Sequence, residues 1–168
     1  MAEEYKNINK ELDRAEKSSN KSYFSDEYFQ DIENKLGEFH KGLVMFAKVD
    51  ERICNGGFDG LFYNEYMDAL EEAISFLDEI RDEPELGQYA DKVINLFEEA
   101  IEVRAYYTDE ISYLDTWDEW YDDKAELLET SCSNKLYPLY SEYYKIDKDL
   151  SNRLELLIQR RFAKQPLN

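Results

Sequence analysis

Apolar residues return at steps of three and four along almost the whole of this 168-residue chain, with only six Gly and three Pro to interrupt them. That period gathers them on one side of a helix, whereas a half-buried strand would need a step of two. So few breakers favour a handful of long helices over many short strands. The expected fold is therefore all-α, a single-domain multi-helix bundle with an N-terminal helical arm. A domain of this length buries about 70% of its unfolded surface. The 43% apolar and 15% aromatic residues supply a core despite 35% charged residues.

Residues 2–19 are polar and carry a thin stripe of Tyr5, Ile8 and Leu12, as a loosely docked arm would. With a short linker they make residues 1–24 the arm and 25–168 the main domain. Ser25, followed by Asp26 and Glu27, is an N-cap with acids in the first turn. It opens a helix expected over 26–53 on Phe29, Ile32, Leu36, Phe39, Leu43, Phe46 and Val49, in which Gly37 and Gly42 mark a bend or a close helix contact. Asn55-Gly56-Gly57 should end that helix, because glycine tolerates the left-handed conformation. A short helix over 58–64 follows, then a longer one over 65–81 on Met67, Leu70, Ile74, Leu77 and Ile80. Pro84 and Gly87 punctuate a turn before a helix over 88–106. Thr108 is expected to cap a helix through residue 129, with a loop at 130–134, a break at Pro138 and a last helix over 149–162.

Charge is distributed very unevenly along the chain. Residues 59–129 hold 23 Asp and Glu against Arg81, Lys92, Arg104 and Lys124, a net of −19, while the rest of the chain sums to zero. Such a surface repels nucleic acid and anionic membrane and attracts basic partners. In residues 115–129 the acids at 115, 118, 119, 122, 126 and 129 would share one helix face, with Leu114, Trp117, Trp120, Tyr121 and Leu128 on the other, where the helix can pack on the core. Whether Trp117 and Trp120 belong to core or interface stays open. That segment carries a net −6 over about 22 Å, or one charge per roughly 3.7 Å, against about 3.4 Å along a DNA strand. Residues 65–85 reach a similar density, net −8 over about 31 Å. Like charges at i,i+4 destabilise a helix by a few tenths of a kcal/mol per pair, a cost that interleaved Lys removes elsewhere in this chain.

Several kinds of chemistry are missing. His40 is the only histidine, which excludes the usual di-iron bundle, makes a zinc site of common type improbable and leaves no ready triad; it reads as a surface or half-buried structural residue. There is no calcium loop, P-loop or GxGxxG. Cys54 and Cys132, far apart and without a CxxC, read as reduced thiols. The opening MAEEYKNINKELDRAEK has no apolar run, so neither signal peptide nor membrane span is expected and the protein is placed in the cytoplasm. No catalytic residue, metal or cofactor is expected. The basic end at Arg160, Arg161 and Lys164 would complement its own helix dipole or another subunit's acidic face.

The run Asn55-Gly56-Gly57-Phe58-Asp59-Gly60-Leu61-Phe62-Tyr63-Asn64 resembles the signature of the DMP19-like family, also called DUF4375, departing from it at Gly60 and Leu61. The similarity continues to about residue 105 and returns over 137–162. In this motif the glycines allow a tight reversal, Phe58 and Phe62 enter the core, and Asn64 caps the next helix. The best-described member of the family is a bacterial DNA mimic. The resemblance thus implies an all-α fold and, for a mimic, carboxylates laid out like DNA phosphates. The expected function is to bind a basic DNA-binding protein, a transcription regulator or nucleoid protein, and to block its access to DNA without touching nucleic acid or membrane. Asp68, Glu72, Asp78, Glu79, Asp82 and Glu83 from one stripe, and Asp115, Asp118, Glu119, Asp122 and Glu126 from the other, would stand in for phosphates. An immunity-type module for one basic toxin or nuclease, and a housekeeping all-α domain, are the alternatives; homodimerisation stays open.

Overall fold

The computed structural model describes residues 5–22, 25–63 and 67–162, apart from the Met67 side chain. These residues form α1 (Lys6–Ser18), α2 (Asp26–Leu36), α3 (Glu38–Tyr63), α4 (Met67–Ile80), α5 (Gly87–Ser112) and α6 (Tyr121–Phe162), and no strand among the described residues. The all-α expectation holds. Each of α3, α4, α5 and α6 packs on the next and α6 returns to α3, so these four close a bundle. α2 lies on α3, and α1 lies on α2, α3 and α6. α1 therefore covers the α3–α6 side of the bundle, and the α4–α5 side lies opposite it.

Local chemistry explains most boundaries. Ser25 accepts the Tyr28 backbone N–H at 3.2 Å and caps α2. The helix expected over 26–53 is two helices, because the chain turns at Gly37 with φ 92°. Gly42 serves the other purpose: a Cβ there would lie 2.5 Å from the Phe76 ring, so only glycine lets α3 and α4 approach this closely. Gly57 interrupts α3 where the Asn55-Gly56-Gly57 run predicts a break. Its backbone is non-helical at φ 64°, ψ −171°, a region open to little besides glycine. It divides α3 into two helical runs across a kink, with Phe58, Leu61 and Phe62 beyond it buried.

α1 is held more firmly than an arm. Ile8, Glu11 and Ala15 are buried in it. Glu155 of α6 accepts the backbone N–H groups of Asn7 (2.7 Å) and Ile8 (2.8 Å) and the Asn7 side-chain amide (2.6 Å). A carboxylate from another helix thus satisfies donors that the first turn leaves open. Glu11 Oε2 lies 2.9 Å from His40 Nε2, and both side chains are almost wholly enclosed. His40 Nδ1 is 3.1 Å from the Leu36 carbonyl, which can only accept. A proton is therefore shared between imidazole and carboxylate, and the single histidine is buried rather than half-exposed.

The C-terminal third departs furthest from expectation. Thr108 is no cap, since it sits inside α5. Residues 130–134 and Pro138 lie inside α6, a 42-residue helix. Pro138 sacrifices a hydrogen bond at a cost of about 3 kcal/mol, but Cys132, Leu136, Leu139 and Tyr143 are all buried around it. Burying a side chain of that size contributes about 1.5–3 kcal/mol, so packing outweighs the proline.

A candidate partner-binding face

On α4, Asp68, Glu72 and Glu79 project along one line. They border clefts that separate α4 from α2 and α3, the larger about 530 Å³. Lys41 sits there, 3.2 Å from Glu33 and 3.6 Å from Glu72. Burial opposes its charge, but the two carboxylates outweigh that and raise the ammonium above its ordinary value. Asp78 is paired with Arg81 at 2.9 Å, and Glu83 with Arg161 at 2.8 Å, while Asp82 is exposed. Three of the six expected phosphate positions on this stripe, Glu72, Asp78 and Glu83, are thus engaged by cations of the same chain. Arg161 is part of the basic C-terminal end, so that end meets its own acidic segment.

The second stripe is not one helix. α6 begins at Tyr121, and Asp115, Asp118 and Glu119 lie in the turn before it. Asp115 Oδ1 accepts the Trp117 backbone N–H and Asp118 Oδ1 that of Trp120, both at 2.9 Å. Lys124 pairs with the other Asp118 oxygen. That contact first, and the Trp120 N–H second, hold the Asp118 carboxyl below its ordinary value. Two of the expected phosphate mimics therefore build the turn, and Glu119, Asp122 and Glu126 remain as exposed carboxylates. The indoles are not on the core side: Trp117 is 93% exposed and Trp120 58%.

Between these groups runs a third, which the density of acids in the sequence does not reveal. Asp91, Glu98, Glu102 and Asp109 on α5 are spaced by 7, 4 and 7, and all are exposed. At 3.6 residues per turn those steps keep them within about 20° of one line, some 27 Å long. The signal was the spacing, diluted by the apolar residues of the same helix. α4 and α5 are adjacent corners of the bundle, but Asp68, Glu72 and Glu79 lie on the flank of α4 that faces α2 and α3. The α5 line is a separate row that runs toward the turn at 113–120. α4 and α6 are not adjacent corners of the bundle, so the two expected stripes do not lie side by side.

Past Ala100, α5 and the first turns of α6 run out as a helical hairpin. No residue from 101 to 131 is buried. The hairpin carries ten acids against Arg104 and Lys124, a net of −8. Arg104 reaches both Glu129 oxygens, at 2.7 and 3.3 Å, and ties its two limbs. Tyr106, Tyr113, Trp117, Trp120 and Leu127 are its large exposed side chains.

The glycine motif faces elsewhere. Asn55 and Gly56 are exposed on α3 and border a cleft of about 280 Å³ with Tyr137 and Tyr140 of α6. Tyr63 is exposed, and Asn64, with its expected capping role, lies outside the described residues. Among the described residues one group has metal-ligand spacing: donor atoms of Asp50, Cys54 and Asp147 lie within 4.8 Å of one another between α3 and α6. Its chemistry favours protons. Burial first and Asp50 second push the Asp147 carboxyl up to about 7. Burial also lifts the Cys54 thiol to about 12, and the enclosed Tyr143 hydroxyl donates to Asp50 at 2.7 Å. The thiol and one carboxyl thus keep their protons near neutrality. No described helix is long and apolar enough to cross a membrane.

A family model described as DMP19-like protein matches residues 34–161, from the end of α2 almost to the end of α6. It takes in the hairpin, which the glycine-motif resemblance does not reach. No curated protein and no solved structure matches the chain.

Proposed function

The chain belongs to the DMP19-like family, and from that premise we propose that it is a cytoplasmic DNA mimic. Its α4–α5 side occupies the DNA-binding surface of a basic regulator or nucleoid protein and excludes the duplex. The observation that carries this reading is the α5 line: Asp91, Glu98, Glu102 and Asp109, straight over about 27 Å and exposed throughout. A phosphate backbone offers a cationic partner the same kind of object, an elongated row of negative charge with no base-specific information. Glu119, Asp122 and Glu126 extend it at the hairpin, and Asp68, Glu72 and Glu79 add a second row on the α3 flank of α4. Charge of this kind steers encounter and makes association fast and salt-dependent.

The test is competition. Helix-turn-helix and nucleoid proteins from the same cell are loaded with fluorescent duplex DNA and titrated with the protein. Displacement at near-stoichiometric amounts is expected, with affinity falling at least tenfold between 50 and 500 mM salt. An inability to displace duplex from any of them, or a salt-indifferent complex, sinks the proposal. The exposed indoles lend some weight to a second reading, an immunity-type module for one basic toxin or nuclease, because aromatic anchors favour a single shaped target. Displacement from several unrelated DNA-binding proteins decides against it.

A further inference from the structure

We propose that the hairpin tip is an arginine-docking site, where Trp117 and Trp120 stack on guanidinium groups of the basic partner while neighbouring carboxylates pair with them. This rests on the partner being basic, as the proposed function has it, but adds an anchor that charge alone does not supply.

The aromatic residues carry the inference. Tyr28, Phe58, Phe97 and Tyr143 are at most 2% exposed, so this fold has enclosed places for aromatics, although Tyr63, Tyr137 and Tyr144 of the bundle are exposed as well. Both tryptophans of the chain are nevertheless at the tip, 93% and 58% exposed, with Tyr113 at 82% beside them. They contribute little to holding the hairpin together. Asp115 and Asp118 bond the backbone N–H groups of the two tryptophans and fix the turn that displays them.

Charge selects the occupant. A second copy would bring one −8 hairpin against another, and an anionic membrane is repelled for the same reason. What remains is a cation with an affinity for rings. Guanidinium meets both conditions, being flat, weakly hydrated and able to stack on a ring while it bonds a carboxylate in its own plane; an ammonium is a strongly hydrated point charge. The molecule already contains this arrangement. The Arg161 guanidinium lies 4.8 Å from the centre of the Phe39 ring and donates to Glu83 at 2.8 Å. At the tip the ring and the carboxylates stand ready, and the arginine would come from the partner.

Both tryptophans lie at the tip, so intrinsic fluorescence reports on the tip alone. The protein is titrated with nona-arginine and nona-lysine peptides by fluorescence and calorimetry at 150 mM salt. The arginine peptide should bind at least fivefold more tightly and shift the tryptophan emission. A Trp117→Ala/Trp120→Ala double variant, with unchanged circular dichroism, should bind both peptides at the lysine level, and the Phe/Phe variant should recover most of the preference. Equal binding of the two peptides to the unaltered protein, or a preference that survives the double alanine variant, overturns the inference. The readings fail separately. Arginine preference without displacement of duplex from DNA-binding proteins sinks the mimic and leaves the tip; displacement without arginine preference does the reverse; no binding of either peptide sinks both.

Discussion

Up to Ala100, α5 buries Ala90, Val93, Ile94, Phe97 and Ala100; beyond that point it buries nothing, although it continues to Ser112. α6 mirrors it, with no buried residue before Cys132 and eight from there on. The same two helices thus belong to two regimes. In the bundle they are held by fully buried apolar contact, and in the hairpin by half-buried residues such as Ile101, Val103 and Tyr107, the Asp115 and Asp118 turn and the Arg104–Glu129 and Lys124–Asp118 pairs. Helices in proteins owe most of their stability to a packed face. A hairpin kept on a thin, half-buried seam, and loaded with carboxylates, is held far less by packing than the bundle is.

The largest effects should therefore fall in the bundle. Phe58→Ala empties a fully enclosed site at the α3 kink and is expected to cost about 3–5 kcal/mol in denaturant unfolding. Trp117→Ala, at a residue of greater volume, should stay within about 0.5 kcal/mol while weakening the arginine preference at the tip. Comparable losses for the two would erase the distinction between the regions. Next comes Glu11→Ala. It strips the partner from His40 inside the α1–α3 contact and should cost about 2–4 kcal/mol. On the same helix Asp13→Ala, in an exposed pair with Lys17, should cost under about 0.5 kcal/mol. A negligible loss at Glu11 would return α1 to the status of a loose arm.

How far the sequence foretold this arrangement depends on which regime a residue belongs to. The stripes of α2, α3 and α4 were legible because residues such as Phe29, Leu43 and Leu70 are buried at helical spacing, and periodicity reports burial. The Ser25 cap followed from local chemistry. Gly37 and Gly42 were legible as a bend or a close contact, but which was which depends on Phe76 of another helix. Thr108 misled because an N-cap and a mid-helix threonine look alike where the apolar face is thin, and beyond Ala100 the face is only half-buried. Pro138 misled for the opposite reason: its helix survives on long-range packing of Leu136, Leu139 and Tyr143, which no local rule weighs. At the site, the excess of acid was plain from composition. The α5 line was hidden by the apolar residues between its members, and the roles of Asp115 and Asp118 in the turn appear only with coordinates. The pairs Glu11–His40 and Asp50–Asp147 join residues 29 and 97 positions apart, a separation that spacing arguments do not reach.

The buried acid at the α3–α6 seam offers a smaller test, on the bundle side. Asp147 has a folded-state value of about 7 against an ordinary 3.8. The folded state holds this proton more tightly, so the stabilisation linked to it is complete below about 4 and is lost as pH rises through about 7. Asp147→Asn keeps the shape and cannot ionise beside Asp50. It should raise stability at pH 8 by about 1–3 kcal/mol and change it far less at pH 4. The general relief of repulsion that acid brings to a −19 chain is common to both proteins and cancels in the difference. An equal effect at both pH values would show that the two carboxyls do not compete for a proton.

The smallest effect expected in global unfolding is also the most local. Arg104 bridges the limbs of the hairpin, and hydrogen bonding to Glu129 raises its already high proton affinity, so it is charged at every accessible pH. The pair is partly exposed, at 28% and 48%, and screening limits it to about 0.5–1 kcal/mol. Arg104→Ala should therefore move the global midpoint little. Hydrogen exchange should tell a different story. Amides at 101–131 should exchange several-fold faster, because that segment has few buried contacts opposing local opening, while those around Phe97, Leu136 and Leu154 keep their protection. If protection fell equally in both places, the hairpin and the bundle would be one cooperative unit. The tip could then not be altered or occupied without the core responding, and the separation of binding from folding would fail.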